Sequence, residues 1–253
     1  MVLKTVLNMA LPVLMACCVA VPALAAPAGV ALSADADGPA LDLDIDYYTR
    51  VLTPEGVTRE ARYKETMLRR SGHVWVARVL PKGGVARQDK HPGDKNQGHG
   101  ASEQGVAGHA EFNYVVNPRH VMLESNKVRI DYIDVHGKAV VAIPASEYAN
   151  VNFDGSWGNA FFLLDPTLLK TIPLTAKPSS VVGARWRERE KNGVFERVLW
   201  DDKRKIPLVI ESGDKASTFY RRIEVTARAK KETNLPWNHL SGYAQKEFSD
   251  YLD

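Results

Sequence analysis

The chain has almost no cysteine: its only two, Cys17 and Cys18, are adjacent and lie within residues 1–25 of 253. Without that segment, the remainder offers no disulfide, no thiolate nucleophile and no cysteine-bound zinc. A block of like charge is missing as well. One of the 33 basic residues, Lys4, falls in residues 1–25, which leaves 32 basic against 30 acidic residues. The two signs are interspersed, as in "RWRERE" and "DDKRK", so no phosphate-neutralising surface is expected and nucleic acid is excluded as a partner. The sequence also lacks a phosphate-cradling glycine loop, a dinucleotide fingerprint and a G-x-S-x-G nucleophile elbow. Any two carboxylates can be paired on paper for acid–base work, but nothing selects a pair. No catalytic residue is assigned, and an enzyme is the minority reading.

Residues 1–25 read as a secretory signal peptide. Lys4 supplies a positive start, "VLNMALPVLMACCVAV" an apolar core, and "PALA" ending at Ala25 a small-residue cleavage site. Nothing after it continues or stops transfer, so no transmembrane span is expected and the protein is placed in the periplasm. "LMAC" ending at Cys17 is a rival reading, a lipidation box that would anchor the chain through that residue. Residues 26–40, small, acidic and rich in Ala, Gly and Pro, form a flexible leader, and residues 41–253 a single domain. "DADG" is not a calcium loop, because the series of oxygen ligands stops after two positions.

From Leu41 onward the signals are those of strands. Leu41, Leu43 and Ile45 alternate with Asp42, Asp44 and Asp46, the period of a half-buried sheet. "FNYVV", "HVMLE", "KVRIDYIDV" and "KAVVAIP" continue the pattern, with "SN" and "HG" as tight turns between the last three. "KNG" between "GARWRERE" and "VFERVLW" is a strong hairpin signal, and "SGDKAS" joins two further strands. An antiparallel meander of roughly eight to ten strands follows. Two stretches depart from it. "AFFLLDPTLL" suits a helix, with Pro166 starting a separate turn. The C-terminal "PWNHLSGYAQKEFSDYLD" spaces Trp237, Leu240, Tyr243 or Ala244, Phe248 and Tyr251 at roughly helical intervals, which predicts an amphipathic helix docked on the sheet. The expected class is β-rich α+β: a strongly curved antiparallel sheet, half-barrel-like, with one or two packing helices.

Three of the seven histidines, His91, His99 and His109, lie in the glycine-rich stretch from His91 to Val116, "HPGDKNQGHGASEQGVAGHAEFNYVV", which overlaps a loop expected at about residues 83–108. Imidazoles on a flexible loop can gather around Zn or Cu, but their spacings of eight and ten residues match neither a helix pair nor a finger. A disordered, solvated connection with no cofactor is the preferred reading, and metal binding the alternative. His109, at the edge of a strand signal, is the exception to a fully solvated loop. His73 is two residues before Trp75 and on the same sheet face, either a structural histidine or one wall of a site. His136 and His239 are expected at the surface. In "NFDGSWGNAFF", Trp157, Phe161 and Phe162 are either core fillers or the lining of an apolar ligand site, together with Trp75.

"VFERVLWDDKRKIPLVIESGDKASTFYRRIEV", Val194 to Val225, resembles a hairpin of the periplasmic outer-membrane lipoprotein-carrier and sorting-like proteins. The shared order is Leu199-Trp200-Asp201, then Ile206-Pro207-Leu208, then Phe219-Tyr220. The resemblance implies a half-barrel closed on its concave side by helices and loops around an apolar cavity. It covers about 30 of the residues, has no counterpart for the histidine loop, and carries over no ligand residue. The expected function is therefore an exported binding or carrier protein whose partner is an apolar small molecule or lipid, such as an acyl chain. A metal-binding protein using the histidine loop, or an accessory to an exported enzyme or receptor, are the alternatives.

Overall fold

The alternation that begins at Leu41 does become a strand, and its register decides the rest of the molecule. The computed structural model describes residues 38–81 and 112–251, all within the unit Leu32–Asp253. Leu41–Leu52 (β1) and Thr58–Arg70 (β2) form a long hairpin in which Leu43 faces Met67 and Ile45 faces Glu65. His73–Val79 (β3), Arg119–Glu124 (β4), Lys127–Asp134 (β5) and Ala139–Ile143 (β6) add one after another on the β2 side. After a 3-10 turn (Ala145–Val151) come two short helices, Trp157–Phe162 (α1) and Pro166–Lys170 (α2). The chain then lays down Ala184–Lys191 (β7), Val194–Asp201 (β8), Ile206–Asp214 (β9) and Phe219–Ala227 (β10), and β10 closes against β1. With Ala244–Glu247 (β11) next to β6, the described residues make one open, curved sheet in the order β11-β6-β5-β4-β3-β2-β1-β10-β9-β8-β7. The class is the β-rich α+β expected.

The hairpin signals hold at residue level. In "KNG", Asn192 (φ 54°) and Gly193 (φ 76°) both have positive φ, the combination a two-residue hairpin turn requires for its twist to match the strands. A Cβ at Gly193 meets nothing within 4 Å, so Gly193→Ala isolates the backbone cost. We expect a loss of about 1–2 kcal/mol in urea unfolding. A midpoint equal to that of the parent would mean that the turn relaxes to another type. Between β8 and β9 the register slips at Trp200, which pairs with Pro207 while Leu199 pairs with Val209. Proline has no N–H to give to the ladder, and the slip accommodates it.

Odd-numbered residues of β1 face the concave side. Leu43 and Ile45 join Met67, Val74, Val121, Ile130 and Val141 in one buried cluster, which Trp157, Phe161, Phe162, Leu169 and Ile172 cover from the helical segment. The opposite face of β2–β6 holds a smaller cluster of Leu68, Trp75, Ile133 and Val140.

The C-terminal segment corrects the sequence expectation. It is not a helix: Pro236–His239 is a 3-10 turn, Gly242 (φ 96°) reverses the chain, and β11 runs parallel to β6. The meander is thus longer than expected, and not purely antiparallel. The apolar spacing was real but served two surfaces. Trp237, Leu240 and Tyr243 pack on the Leu68–Trp75–Ile133–Val140 face, whereas Phe248 and Tyr251 join the main cluster on the other. A strand at the sheet edge lets one short segment reach both faces, which no single helix face can do.

Candidate functional site

Curvature leaves room between the sheet and the helices. A cavity of about 540 Å³ lies there, within the ~300–1,000 Å³ typical of small-molecule pockets. Its sheet wall carries an apolar patch, Ile45, Val74, Val76 and Val121 on one side and Ile210 and Ile223 on the other, beside the polar Arg119, Glu196, Ser212 and Arg221. Phe153, Ala160, Leu163, Leu164 and Leu168 form the opposite wall. Ser156 caps α1 by accepting from the Asn159 N–H at 3.1 Å, and Asp165 caps α2 by accepting from the Thr167 N–H at 2.7 Å. Between them Leu163 ends α1 with φ 65°, a left-handed conformation uncommon for leucine, and its side chain lines the cavity. Strained backbone at a cavity wall is maintained only because its surroundings over-determine it.

A polar group sits at the β1–β5 end of this space. The Tyr47 and Tyr63 rings stack with centroids 4.4 Å apart, and the Arg78 guanidinium lies 3.4 Å from the Tyr63 centroid. Glu65, 8% exposed, is 3.7 Å from Arg78 and 3.5 Å from Arg119. Burial pushes the Tyr47 phenol well above its ordinary range, with the Glu65 charge adding to the effect. Tyr132, raised by burial as well, donates to the Val151 carbonyl at 3.3 Å. Both phenols therefore stay neutral donors at any physiological pH, which suits binding and positioning better than proton transfer.

The expected ligand-site residues are placed as follows. Trp157, Phe161 and Phe162 are buried to 5% exposure or less; Trp157 and Phe161 meet at a tilt with centroids 5.0 Å apart, and Phe161 and Phe162 edge to face at 4.9 Å. They form the packed layer behind the wall, while Ala160, Leu163 and Leu164 of the same segment line the cavity. Trp75 lies on the opposite sheet face, in the smaller cluster. There His73 Nδ1 is 3.1 Å from His120 Nε2, and the Trp237 ring stacks on both imidazoles at 5.4 and 5.2 Å. Burial, then the charges of His73 and Arg129, pull His120 down to about 4, so it is neutral. His136 and His239 are exposed. His91, His99 and His109 lie outside the described residues, on the connection between the adjacent strands β3 and β4. Among the described residues no group of three or more His, Cys, Asp or Glu can hold a metal ion.

No protein-family model and no curated protein matches the sequence. Solved structures resemble it loosely. PNGF-II matches at 10% identity over 83% of this chain with TM-score 0.36, and this chain spans only 32% of that protein's length. A putative outer membrane lipoprotein-sorting protein domain from Vibrio parahaemolyticus matches at 10% identity over 81% of this chain and 94% of the domain, TM-score 0.32. The Pseudomonas aeruginosa MucA/MucB complex matches at 10% identity over 81% of this chain and 56% of that one, TM-score 0.35. A lipoprotein-sorting domain thus stands among the similar structures, in keeping with the hairpin resemblance.

Proposed function

We propose that the chain is an exported binding or carrier protein that shields an apolar group, such as an acyl chain, in the cavity between the concave sheet and the α1–α2 segment. The apolar patches that face each other across the cavity, Ile45, Val74, Val76, Ile210 and Ile223 opposite Ala160, Leu163, Leu164 and Leu168, carry this reading. Each methylene moved from water into such a space contributes ~0.8 kcal/mol, so a short chain suffices for useful affinity. The signal-like residues 1–25 support export, and among the described residues no helix is long and apolar enough to cross a membrane.

Filling the cavity tests the proposal. Neutral N-phenyl-1-naphthylamine should brighten with the parent protein, and Ala160→Phe should weaken its binding at least tenfold. Ile210→Trp, from the opposite wall, should do the same independently. A parent that leaves the dye dark, or variants that bind it unchanged while unfolding like the parent, would sink the reading. Native mass spectrometry of the purified protein adds a direct look for a co-purifying lipid.

A further inference from the structure

The cavity is apolar at one level and charged at the next, and the strand register makes the step explicit. Val198, Ile210, Ile223 and Tyr47 are successive cross-strand partners on β8, β9, β10 and β1. Two residues further along the same strands, and therefore on the same face, the partners are Glu196, Ser212, Arg221 and Thr49. At ~3.4 Å per residue the polar row lies about 7 Å beyond the apolar one. Ile210 and Ile223 line the cavity from the first row, Glu196, Ser212 and Arg221 from the second.

Four charged side chains line this space, and three are committed. Arg119 is 3.5 Å from Glu65, and Glu196 is 2.6 Å from Arg189. Asp154 accepts from the Ser156 N–H at 2.9 Å and from Asn159 Nδ2 at 2.5 Å. Arg221 alone has no hydrogen-bond or ion-pair partner among the described residues, and it is exposed. A guanidinium presents a planar fork of donors that fits a carboxylate or phosphate through two parallel bonds. The Ser212 hydroxyl, on the strand position paired with Arg221, offers a further donor.

Resting on the cavity reading above, we infer that the occupant is a single-chain amphiphile with an anionic head, carboxylate or phosphate. Its head pairs with Arg221 at the polar row and its tail runs inward past Ile223 and Ile210. This orients the ligand, which the apolar walls by themselves do not do.

Calorimetry with dodecanoate, dodecyl phosphate, the neutral monododecanoylglycerol and inorganic phosphate, each below its aggregation threshold, tests this. The two anionic dodecyl ligands should bind at least tenfold more tightly than the neutral one, and inorganic phosphate should give no heat. Arg221→Gln should bring the three dodecyl ligands within about threefold of each other without changing the neutral one, and Arg221→Lys should keep part of the preference. Equal affinities in the parent, or a preference that survives Arg221→Gln, would overturn the head-group assignment and leave the cavity reading standing. Inorganic phosphate binding as tightly as dodecyl phosphate would replace the amphiphile by a free anion. If no dodecyl ligand binds, both readings fall.

Discussion

Replacing Arg69 by methionine should lower the unfolding free energy by about 3–5 kcal/mol, the combined cost of losing four hydrogen bonds from a charged donor to backbone carbonyls. Arg69 is 0% exposed, and its guanidinium has no carboxylate partner among the described residues. Burial pulls it down to about 10, which still leaves it charged at neutral pH. Four backbone carbonyls compensate the charge. Nε donates to Pro39 at 3.0 Å, Nη1 to Phe161 at 3.3 Å and Lys205 at 3.1 Å, and Nη2 to Arg204 at 2.6 Å. The Phe161 and Phe162 rings lie 4.9 and 5.7 Å from the guanidinium carbon. One side chain thus ties the entry to β1, the end of α1 and the turn between β8 and β9. Methionine fills much of the volume but donates to none of the acceptors, so all four charge-assisted hydrogen bonds are lost, the Phe161 one from a fully buried position. Lysine keeps the charge but cannot reach four carbonyls from one point, and should fall between methionine and the parent. Urea midpoints of the three proteins check the order, and the lysine variant keeps the test readable if the methionine variant does not fold. A methionine variant within 1 kcal/mol of the parent would show that water already serves those carbonyls. Because Phe161 belongs to the segment that walls the cavity, dye binding by Arg69→Lys should weaken along with stability.

Arg69 was invisible in the sequence for a physical reason. In "ETMLRR" it reads as the polar end of a strand, and its burial depends on three segments far apart in the chain converging on it. Local signals fared better. "KNG" and "SN" became the two-residue turns their chemistry demands, since Asn192, Gly193, Ser125 and Asn126 all have positive φ. The Val194–Val225 hairpin unit became β8, β9 and β10 in that order, with Pro207 at the register slip. "AFFLLDPTLL" was legible as a helical stretch interrupted at Pro166, but not as two surfaces. The short α1 turns Trp157 and Phe161 into the packed layer and leaves Ala160, Leu163 and Leu164 to the cavity. Arg221 could have been noticed as a cation on the alternation that buries Ile223 and Val225. Its lack of a partner is a property of neighbouring strands, and only the register reveals it. The C-terminal segment failed for the converse reason: its apolar period was correct, and Gly242 and the edge of β6 decided the backbone.

Stability should fall as pH drops from about 6.5 to about 4, and His120 should account for a large part of that fall. Its folded value, near 4, lies below the ordinary 6.5, chiefly because burial penalises the charged ring, with His73 and Arg129 adding to the penalty. Unfolded chains take up the proton near pH 6.5 while the folded protein refuses it until about pH 4. The contribution is therefore complete above pH 6.5 and declines through that window, a loss of roughly 3 kcal/mol by pH 4 at 1.36 kcal/mol per unit. The groups around it explain why the ring resists protonation. His73 Nδ1 stands 3.1 Å away, and Asp131, the carboxylate on the paired strand position, is engaged by Arg129 at 2.8 and 3.2 Å. Trp237, Trp75 and His73 surround the ring and keep water out. His120→Phe retains an aromatic ring beneath Trp237 and removes the titration. The variant should be less stable than the parent at pH 7.5, because His73 loses its partner, and the gap should narrow steadily towards pH 4. Thermal or urea unfolding of both proteins at half-unit steps measures this directly. Curves that stay parallel across the window would mean that His120 takes its proton as readily in the folded protein as in the unfolded chain, and that the Trp237 clasp admits water.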